Sequence, residues 1–366
     1  MTPDPRASTP DPRPSSEDPR PSTRDARGST ADARGSTRDT RPSTPDARGS
    51  APRHRLPPAA IAIVPLVVAV VLALFAWPSA RLAPHDLPVG VAGAPVATHA
   101  VEERLGGDAF DVHRYDSERA ARRAVADREV YGAFVATAAG PIVLTASAAS
   151  PAVAQMLTTA ASHQARAGTI VPVEDVVASG HSGAALPPAV LPLIIAGILT
   201  GVLSAALAST ALHRAGLLVT GSVLAGLTAT AIIQGWLGVV GGDWVANAAA
   251  LSLVVLALAS VIAGLQALLG PAGVAVGALT MILIGNPFSG IGSAPEMLPE
   301  PAGAIGRLMP PGAGGNLLRS TGFFDGAGAG FHIAVLTDWA AAGLGLLFAA
   351  GLRARRGVAV PAPVPA

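Results

Sequence analysis

The chain alternates long apolar blocks with polar stretches, and this alternation is its strongest pattern. The first apolar block covers residues 56–80, and the remaining blocks lie within residues 187–352. A helix crosses the hydrocarbon core of a membrane with about 20 consecutive apolar residues, and the blocks reach that length. The pattern therefore predicts a polytopic α-helical membrane protein with about six transmembrane helices.

The second group of blocks predicts a bundle of five spans. One block covers 187–212, another 215–240, and the last 331–352. The apolar run from 245 to 285 would measure roughly 60 Å as a single helix, about twice the thickness of the hydrocarbon core. We therefore expect two spans there, with the turn at residues 270–273, whose sequence is Gly-Pro-Ala-Gly.

Residues 81–186, between the first and second spans, have the composition of a small water-soluble domain. Short apolar runs alternate here with amphipathic stretches that begin near Thr98 and at Asp116 or Ser117, residue types that commonly cap helices. Strands are predicted at 87–92, 110–115, 131–137 and 141–145, and helices at 98–105, 117–130 and from 151 onward. This alternation predicts an α/β layer of about 100 residues.

The two ends of the chain differ from the apolar blocks. Residues 1–55 repeat every seven positions, with serine at Ser8, Ser15, Ser22, Ser29, Ser36, Ser43 and Ser50. The repeat lacks apolar a and d positions and is interrupted by Pro or Gly, so it predicts a disordered tail rather than a coiled coil. Residues 353–366 are predicted to form a second, shorter tail.

Arginines near the span ends predict the orientation. All of them fall on one side of the membrane if the N-terminus is cytoplasmic: Arg53, Arg55, Arg214, Arg353, Arg355 and Arg356. By the positive-inside rule, both termini are then cytoplasmic and the 81–186 domain is extracytoplasmic, in a plasma-membrane protein. The long tail before the first block favours an uncleaved anchor over a signal peptide.

Residues 286–330 form a Pro/Gly-rich segment that is too apolar for a free loop. Its prolines and glycines prevent one continuous helix. Non-helical backbone at membrane depth is tolerated only against protein or water. We therefore expect short re-entrant or interfacial helices on the outer side, before the last span.

Composition excludes several classes of function. Of the 366 residues 50% are hydrophobic and 13% charged, and a net charge of +1 offers no basic surface for nucleic acid. The chain has no cysteine and no lysine, so it contains neither a thiolate metal site nor the lysine of a P-loop ATPase. No catalytic motif, cofactor site or metal-ligand pair is evident, which predicts a protein that is not an enzyme.

Polar residues within the apolar blocks are candidates for a substrate pathway. Asp338 lies about seven residues inside the last span, where an acid is costly and indicates function, unless that span begins later and Asp338 stays at the interface. Gln234 and Gln266 are weaker candidates, because amides also join neighbouring helices by hydrogen bonds. Asn286, where the Pro/Gly-rich segment begins, is the fourth candidate.

Two glycine pairs at four-residue spacing predict close helix packing. Gly197 and Gly201 lie in the second span, and Gly273 and Gly277 in the fifth. Such pairs let helix backbones approach each other. They serve either packing within one bundle or the contact between two copies of the chain.

The layout resembles that of type-2 ABC-transporter permeases, and is most similar to the YhgE/Pip-like membrane proteins of Gram-positive bacteria. The resemblance covers about residues 56–352. It is carried by the motifs Leu87-Pro88-Val89-Gly90-Val91, Tyr131-Gly132-Ala133-Phe134-Val135, Asn286-Pro287-Phe288-Ser289-Gly290 and Leu308-Met309-Pro310-Pro311-Gly312-Ala313.

This resemblance implies a homodimeric exporter of a hydrophobic or cell-envelope substrate. A separate cytoplasmic ABC ATPase would drive it, and membrane lipid would surround it. ATPase contacts would fall on His213 and Arg214, in a short connection where such permeases usually carry a coupling helix. The alternative is a non-transporting envelope receptor or scaffold, which the short connection favours.

Overall fold

The computed structural model describes residues 58–105, 107–164, 171–180 and 186–358. The predicted repeat tail at 1–55 lies outside the described residues, as do positions 359–366 of the predicted C-terminal tail.

Helix α1 (Pro58–Ala80) leads into an α/β domain. In chain order this domain contains β1 (Leu87–Ala92), α2 (Pro95–Leu105), β2 (Phe110–Tyr115), α3 (Glu118–Ala126), β3 (Gly132–Thr137), β4 (Gly140–Thr145), α4 (Pro151–Gln164) and β5 (Val173–Asp175). Ser117 caps α3, where its hydroxyl accepts a hydrogen bond from the backbone N–H of Ala120 at 3.2 Å.

The five strands form one sheet in the order β2-β1-β3-β4-β5. Neighbouring strands are parallel except β3 and β4, which form an antiparallel hairpin. Ala133 and Val135 of β3 pack with α3, whereas Phe134 between them packs with Leu157 of α4. The alternation of strand side chains thus buries one face of the sheet beneath α3 and the other beneath α2 and α4.

The bundle follows the α/β domain. It contains α5 (Leu186–Leu207), α6 (Ala211–Thr230, continued by a π-helical stretch Ala231–Trp236), α7 (Trp244–Leu269), α8 (Pro271–Thr280, continued by a π-helical stretch Met281–Gly285), α9 (Ala302–Leu308), α10 (Pro310–Phe323) and α11 (Ala329–Val358). Within the described ranges, α1, α5, α6, α7 and α11 are long and apolar enough to cross a membrane. The chain is therefore a multi-pass helical membrane protein.

The apolar run from 245 to 285 divides into two helices at Gly270. Gly270 has a φ of +63°, a left-handed conformation that glycine favours, and Pro271 starts α8. The second half of the run, residues 271–285, is shorter than the other five apolar helices. Where the pattern predicts about six spans, the described residues contain five long apolar helices and one shorter one.

Helix α7 lies at the centre of the bundle. Its most apolar stretch is 72% buried, compared with 28% for α5, α6 and α11 and 6% for α1. The helices approach α7 through glycine: a Cβ added at Gly197 of α5 would lie 2.4 Å from the Cβ of Leu258. A Cβ added at Gly343 of α11 would lie 2.4 Å from the carbonyl carbon of Ser260. Glycine at these positions sets the distance between the helix axes.

The Pro/Gly-rich segment forms short helices that are packed into the protein. After a 3-10 turn at Pro295–Met297 come α9 and α10, and most residues of α10 are buried. Four glycines lower the intrinsic stability of α10, so this helix depends on its tertiary contacts. At Gly314 a Cβ would lie 2.6 Å from Cγ2 of Val254 on α7, which shows how closely the two helices pack.

Candidate functional site

The α/β domain is joined to the Pro/Gly-rich segment by apolar contacts on both faces of its sheet. Leu87 and Val89 share a core cluster with Ala294 and Met297 of that segment. On the other face, Phe324 packs into the cluster formed by α3 and the sheet. The domain and the segment therefore form one continuous packed structure.

Backbone hydrogen bonds reinforce this joint just before β1. The N–H of Ala83 donates to the carbonyl of Met297 at 3.0 Å, and the N–H of His85 donates to the carbonyl of Glu296 at 2.8 Å. The chain that leaves α1 is thus fixed to the 3-10 turn before it enters the sheet.

Arg128 is the main polar contact between the α/β domain and α10. Its guanidinium donates to the backbone carbonyl of Asn316 at 3.0 Å, to Oγ of Ser320 at 2.6 Å and to Oδ1 of Asn316 at 3.2 Å. It also lies 5.1 Å from the centre of the Phe324 ring, within the range of a cation–π interaction. These acceptors are neutral, and burial lowers the pKa of Arg128 below its ordinary value.

The backbone of Arg128 directs its side chain towards α10. Arg128 follows the end of α3 and has a φ of +61°, which is uncommon for a residue with a side chain. Such a conformation persists where surrounding contacts hold it. The hydrogen bonds to Asn316 and Ser320 are contacts of that kind.

Tyr131 and Glu296 form a second polar link. The hydroxyl of Tyr131 donates to Oε2 of Glu296 at 2.8 Å, and Nη1 of Arg307 lies 3.6 Å from Oε1 of the same carboxylate. Burial raises the pKa of Tyr131, and the negative charge of Glu296 raises it further. The phenol therefore remains protonated and able to donate this hydrogen bond across the pH range of living cells.

A cavity of about 270 Å³ lies between the α/β domain and the helices α9, α10 and α11. Its charged and polar lining comes from both sides of the joint: Arg128, Glu129 and Tyr131 from the domain, and Glu296, Arg307, Asn316 and His332 from the bundle. Ligand pockets typically have volumes of roughly 300–1,000 Å³, so this cavity suits a small group.

Arg319 lies one helical turn from Asn316 and is only 1% exposed. Its Nη2 donates to the carbonyl of Ile291, while Nε and Nη1 have no hydrogen-bond partner among the described residues. A buried guanidinium without a carboxylate partner is costly. A positive charge without a carboxylate partner among the described residues therefore lies one helical turn from Asn316 of the cavity lining.

None of the four predicted pathway residues lines this cavity. Asp338 is exposed on the side of α11, away from the packed core. Gln234 is bonded within the bundle, where its Oε1 accepts from Asn247 at 2.9 Å and its Nε2 donates to the carbonyl of Gly242 at 3.0 Å. Gln266 is half-buried, and so is Asn286 at the end of the π-helical stretch.

The four predicted packing glycines all lie against α7. Gly197 and Gly201 bring α5 close to Leu258 and Ala259, and Gly273 and Gly277 bring α8 close to Leu265 and Ile262. Their contacts thus lie within one bundle.

The two predicted ATPase-contact residues help to close the turn between α5 and α6. Thr210 caps α6 and accepts from the N–H of His213 at 3.3 Å, and Nε of Arg214 donates to the carbonyl of Ala208 at 3.2 Å. This cap starts α6 at Ala211, so the connection is residues 208–210, and His213 and Arg214 lie in the first turn of α6 rather than in the connection as predicted.

Sequence reasoning missed the residues of the joint, namely Arg128, Tyr131, Glu296, Asn316 and Arg319. Arg128 stands among alternating acids and arginines that resemble a solvated helix face. A signal was nevertheless present in Arg319, a charge that follows Leu317 and Leu318 in an otherwise uncharged stretch.

Metal chemistry finds no support in the described part of the chain, where no group of three or more His, Cys, Asp or Glu side chains could hold an ion. Comparison with protein-family models, with curated proteins and with solved structures returned no match.

Proposed function

We propose that this chain is the membrane-spanning permease subunit of an ABC-type exporter that moves a hydrophobic or cell-envelope substrate across the plasma membrane. The observation that carries the proposal is the joint between the α/β domain and α10. Helix α10 also packs against the central helix α7 and the last span α11. Binding at the α/β domain could therefore be transmitted to the centre of the bundle.

In this proposal the α/β domain is extracytoplasmic and both termini are cytoplasmic, as the arginines at the span ends predict. Because the chain has no lysine for a P-loop, the energy comes from a separate ATPase subunit.

An apolar groove between α5 and α6 supports a hydrophobic substrate. The groove has a volume of about 510 Å³ and is lined by small and aliphatic side chains such as Pro192, Ala196 and Leu224. It is open to the side of the bundle, where acyl chains of the bilayer have access to it.

The weak packing of α1 supports a homodimer. Only 6% of its apolar stretch is buried, and its contacts within the chain include the edge of Trp77 against Phe288 at 6.3 Å between ring centres. We propose that a second copy covers part of this surface.

A receptor or scaffold without transport activity is the second candidate. The observation that favours it is the three-residue connection 208–210 between α5 and α6, since a coupling helix for an ATPase would need a longer segment. In that case the cavity at the joint would bind a ligand, and the bundle would only anchor the domain.

Affinity purification of the full chain from its native host in mild detergent tests the choice. The permease proposal expects a P-loop ATPase to co-purify in stoichiometric amount, with a hydrolysis rate that depends on the membrane chain. Repeated recovery of the intact chain without an ATPase would refute the permease assignment and favour the receptor.

A further inference from the structure

Arginines outnumber carboxylates in and near the cavity at the joint. Arg128 and Arg307 line it against the two carboxylates of Glu129 and Glu296, and the buried Arg319 lies one helical turn from Asn316 of the lining. Glu129 accepts from the hydroxyl of Tyr115 at 3.3 Å, and Glu296 accepts from Tyr131. One positive charge is therefore left without a carboxylate among these groups.

Arg307 is the guanidinium that a ligand can reach. Its side chain is 47% exposed, and its separation of 3.6 Å from Glu296 is too long for a strong charge-assisted hydrogen bond. Arg128 instead is engaged by Asn316 and Ser320. An incoming anion would thus gain donors from Arg307 without breaking the joint.

The length of α11 and the position of Trp339 favour a cavity at the depth of lipid head groups. Helix α11 has 30 residues, about 45 Å, so it is longer than the roughly 30 Å hydrocarbon core. Trp339 bonds to the carbonyl of Leu308 at 2.7 Å, and tryptophan commonly marks the membrane interface. His332 of the cavity lies seven residues before Trp339, about 10 Å further from the core.

Exposed apolar side chains lie on α9 and α11, the helices of Arg307 and His332, and one of them, Phe331, lines the cavity. Ile305 and Leu308 of α9 are 38% and 55% exposed, and Phe331 and Ile333 of α11 are 53% and 45% exposed. Acyl chains can lie on this surface while a charged head group occupies the cavity. Arginine suits phosphate because its donors match two phosphate oxygens at once.

We propose that this cavity binds the phosphate of an anionic membrane lipid, with Arg307 as its principal ligand and the lipid chains on the surface formed by Ile305, Leu308, Phe331 and Ile333. If the chain is the permease proposed above, this lipid is its class of substrate. Only the transport of the lipid rests on that proposed function, whereas its binding does not.

Native mass spectrometry of the purified full chain, titrated with phosphatidylglycerol, phosphatidylcholine or inorganic phosphate, tests the site. We expect phosphatidylglycerol to bind about tenfold more tightly than phosphatidylcholine, because the choline cation meets the excess of arginine. Arg307→Gln should abolish this preference. Arg119→Gln, which removes an exposed arginine of α3 away from the cavity, should keep it.

The Glu296→Gln variant tests the site through a gain of lipid binding, which misfolding cannot produce. The substitution removes the carboxylate that competes with a phosphate for Arg307, and the amide oxygen of the new glutamine can still accept the hydrogen bond from Tyr131. Binding of phosphatidylglycerol should therefore become several-fold tighter. Equal retention of both lipids, or an Arg307→Gln variant that matches the natural chain, would overturn the proposal.

Binding of inorganic phosphate that requires Arg307, without any lipid preference, would also overturn the lipid assignment. The measurement needs neither an ATPase nor export. Failure of the permease proposal therefore leaves its result unaffected.

Discussion

Replacing Arg128 by methionine should loosen the contact between the α/β domain and α10. The substitution removes three hydrogen bonds, of 2.6 to 3.2 Å, to Ser320 and to two oxygens of Asn316. Methionine keeps an unbranched apolar side chain over the ring of Phe324. Since both residues carry a side chain at the φ of +61°, the backbone cost is the same before and after the change.

The expected loss follows from two opposing contributions. Hydrogen bonds from a charged donor each stabilise by about 1.5–3 kcal/mol, but removing the guanidinium also removes the cost of keeping a cation half-buried. We estimate a net loss of about 2 kcal/mol in the docked state, which corresponds to roughly a 30-fold shift in the equilibrium between docked and undocked forms.

Hydrogen exchange followed by mass spectrometry measures this shift directly. Amides of α10 should exchange roughly 30-fold faster in the Arg128→Met variant, while amides of α7 keep their protection. Arg119→Met, on the exposed side of α3, is the matched control and should leave α10 unchanged. Unaltered protection of α10 in Arg128→Met would refute the assignment of Arg128 as the main polar contact of the joint.

Three further changes probe packing, ionisation and the last span. Gly343→Ala places a Cβ 2.4 Å from the backbone of α7 and should lower the melting temperature in detergent by several degrees, as overpacking costs about 1–3 kcal/mol. Gly345→Ala in the same helix meets nothing within 4 Å and should be slightly stabilising, because alanine has the higher helix propensity. The folded pKa of Tyr131 exceeds that of the unfolded chain, so unfolding favours ionisation and stability should fall as pH rises above 10.0. Asp338→Asn should leave expression, melting temperature and export or drug tolerance of the host unchanged, since the side chain is exposed beside Trp339 at the membrane interface.

Each of these has its own control. Equal melting temperatures for Gly343→Ala and Gly345→Ala would show that α11 can move away from α7 at little cost. The loss of stability above pH 10.0 can be assigned to tyrosine, because the chain has no lysine or cysteine and only two tyrosines. Burial also raises the pKa of Tyr115, to about 12, so Tyr131→Phe should remove only part of the loss of stability at high pH. If the variant and the natural chain lose stability identically with pH, Tyr131 does not contribute to the loss. Reduced export in Asp338→Asn would instead place Asp338 in the substrate pathway.

The strands of the α/β domain were readable from the sequence because their information is local. Leu87–Ala92 is a short apolar run, and Phe110–Tyr115 alternates between apolar and polar residues. The structure has β1 and β2 at those residues. Ser117 marks the start of α3 for the same reason, since a cap acts within one turn of its own helix.

Helix α10 was not readable in the same way. Its glycines and its Pro310-Pro311 start argue against a stable helix, and local propensity gives no reason for 14 residues of regular structure there. Packing against α7 and α11 overrides that propensity. The turn between α5 and α6 was misplaced on a smaller scale, because the cap at Thr210 competes with an apolar pattern that continues through the turn.

The sequence by itself determined which parts of this protein lie in the membrane and which lie in water. The length of an apolar run and the density of charges can be read directly along the chain, without knowledge of the fold. The sequence therefore determined the membrane helices, the α/β layer between them and the absence of a P-loop. Only the tertiary structure decided which polar groups meet. Arg128 and Asn316 are 188 positions apart, and Tyr131 and Glu296 are 165 apart. No local pattern encodes such a pair, because its stability comes from burial that exists only after the domain and the bundle have packed together.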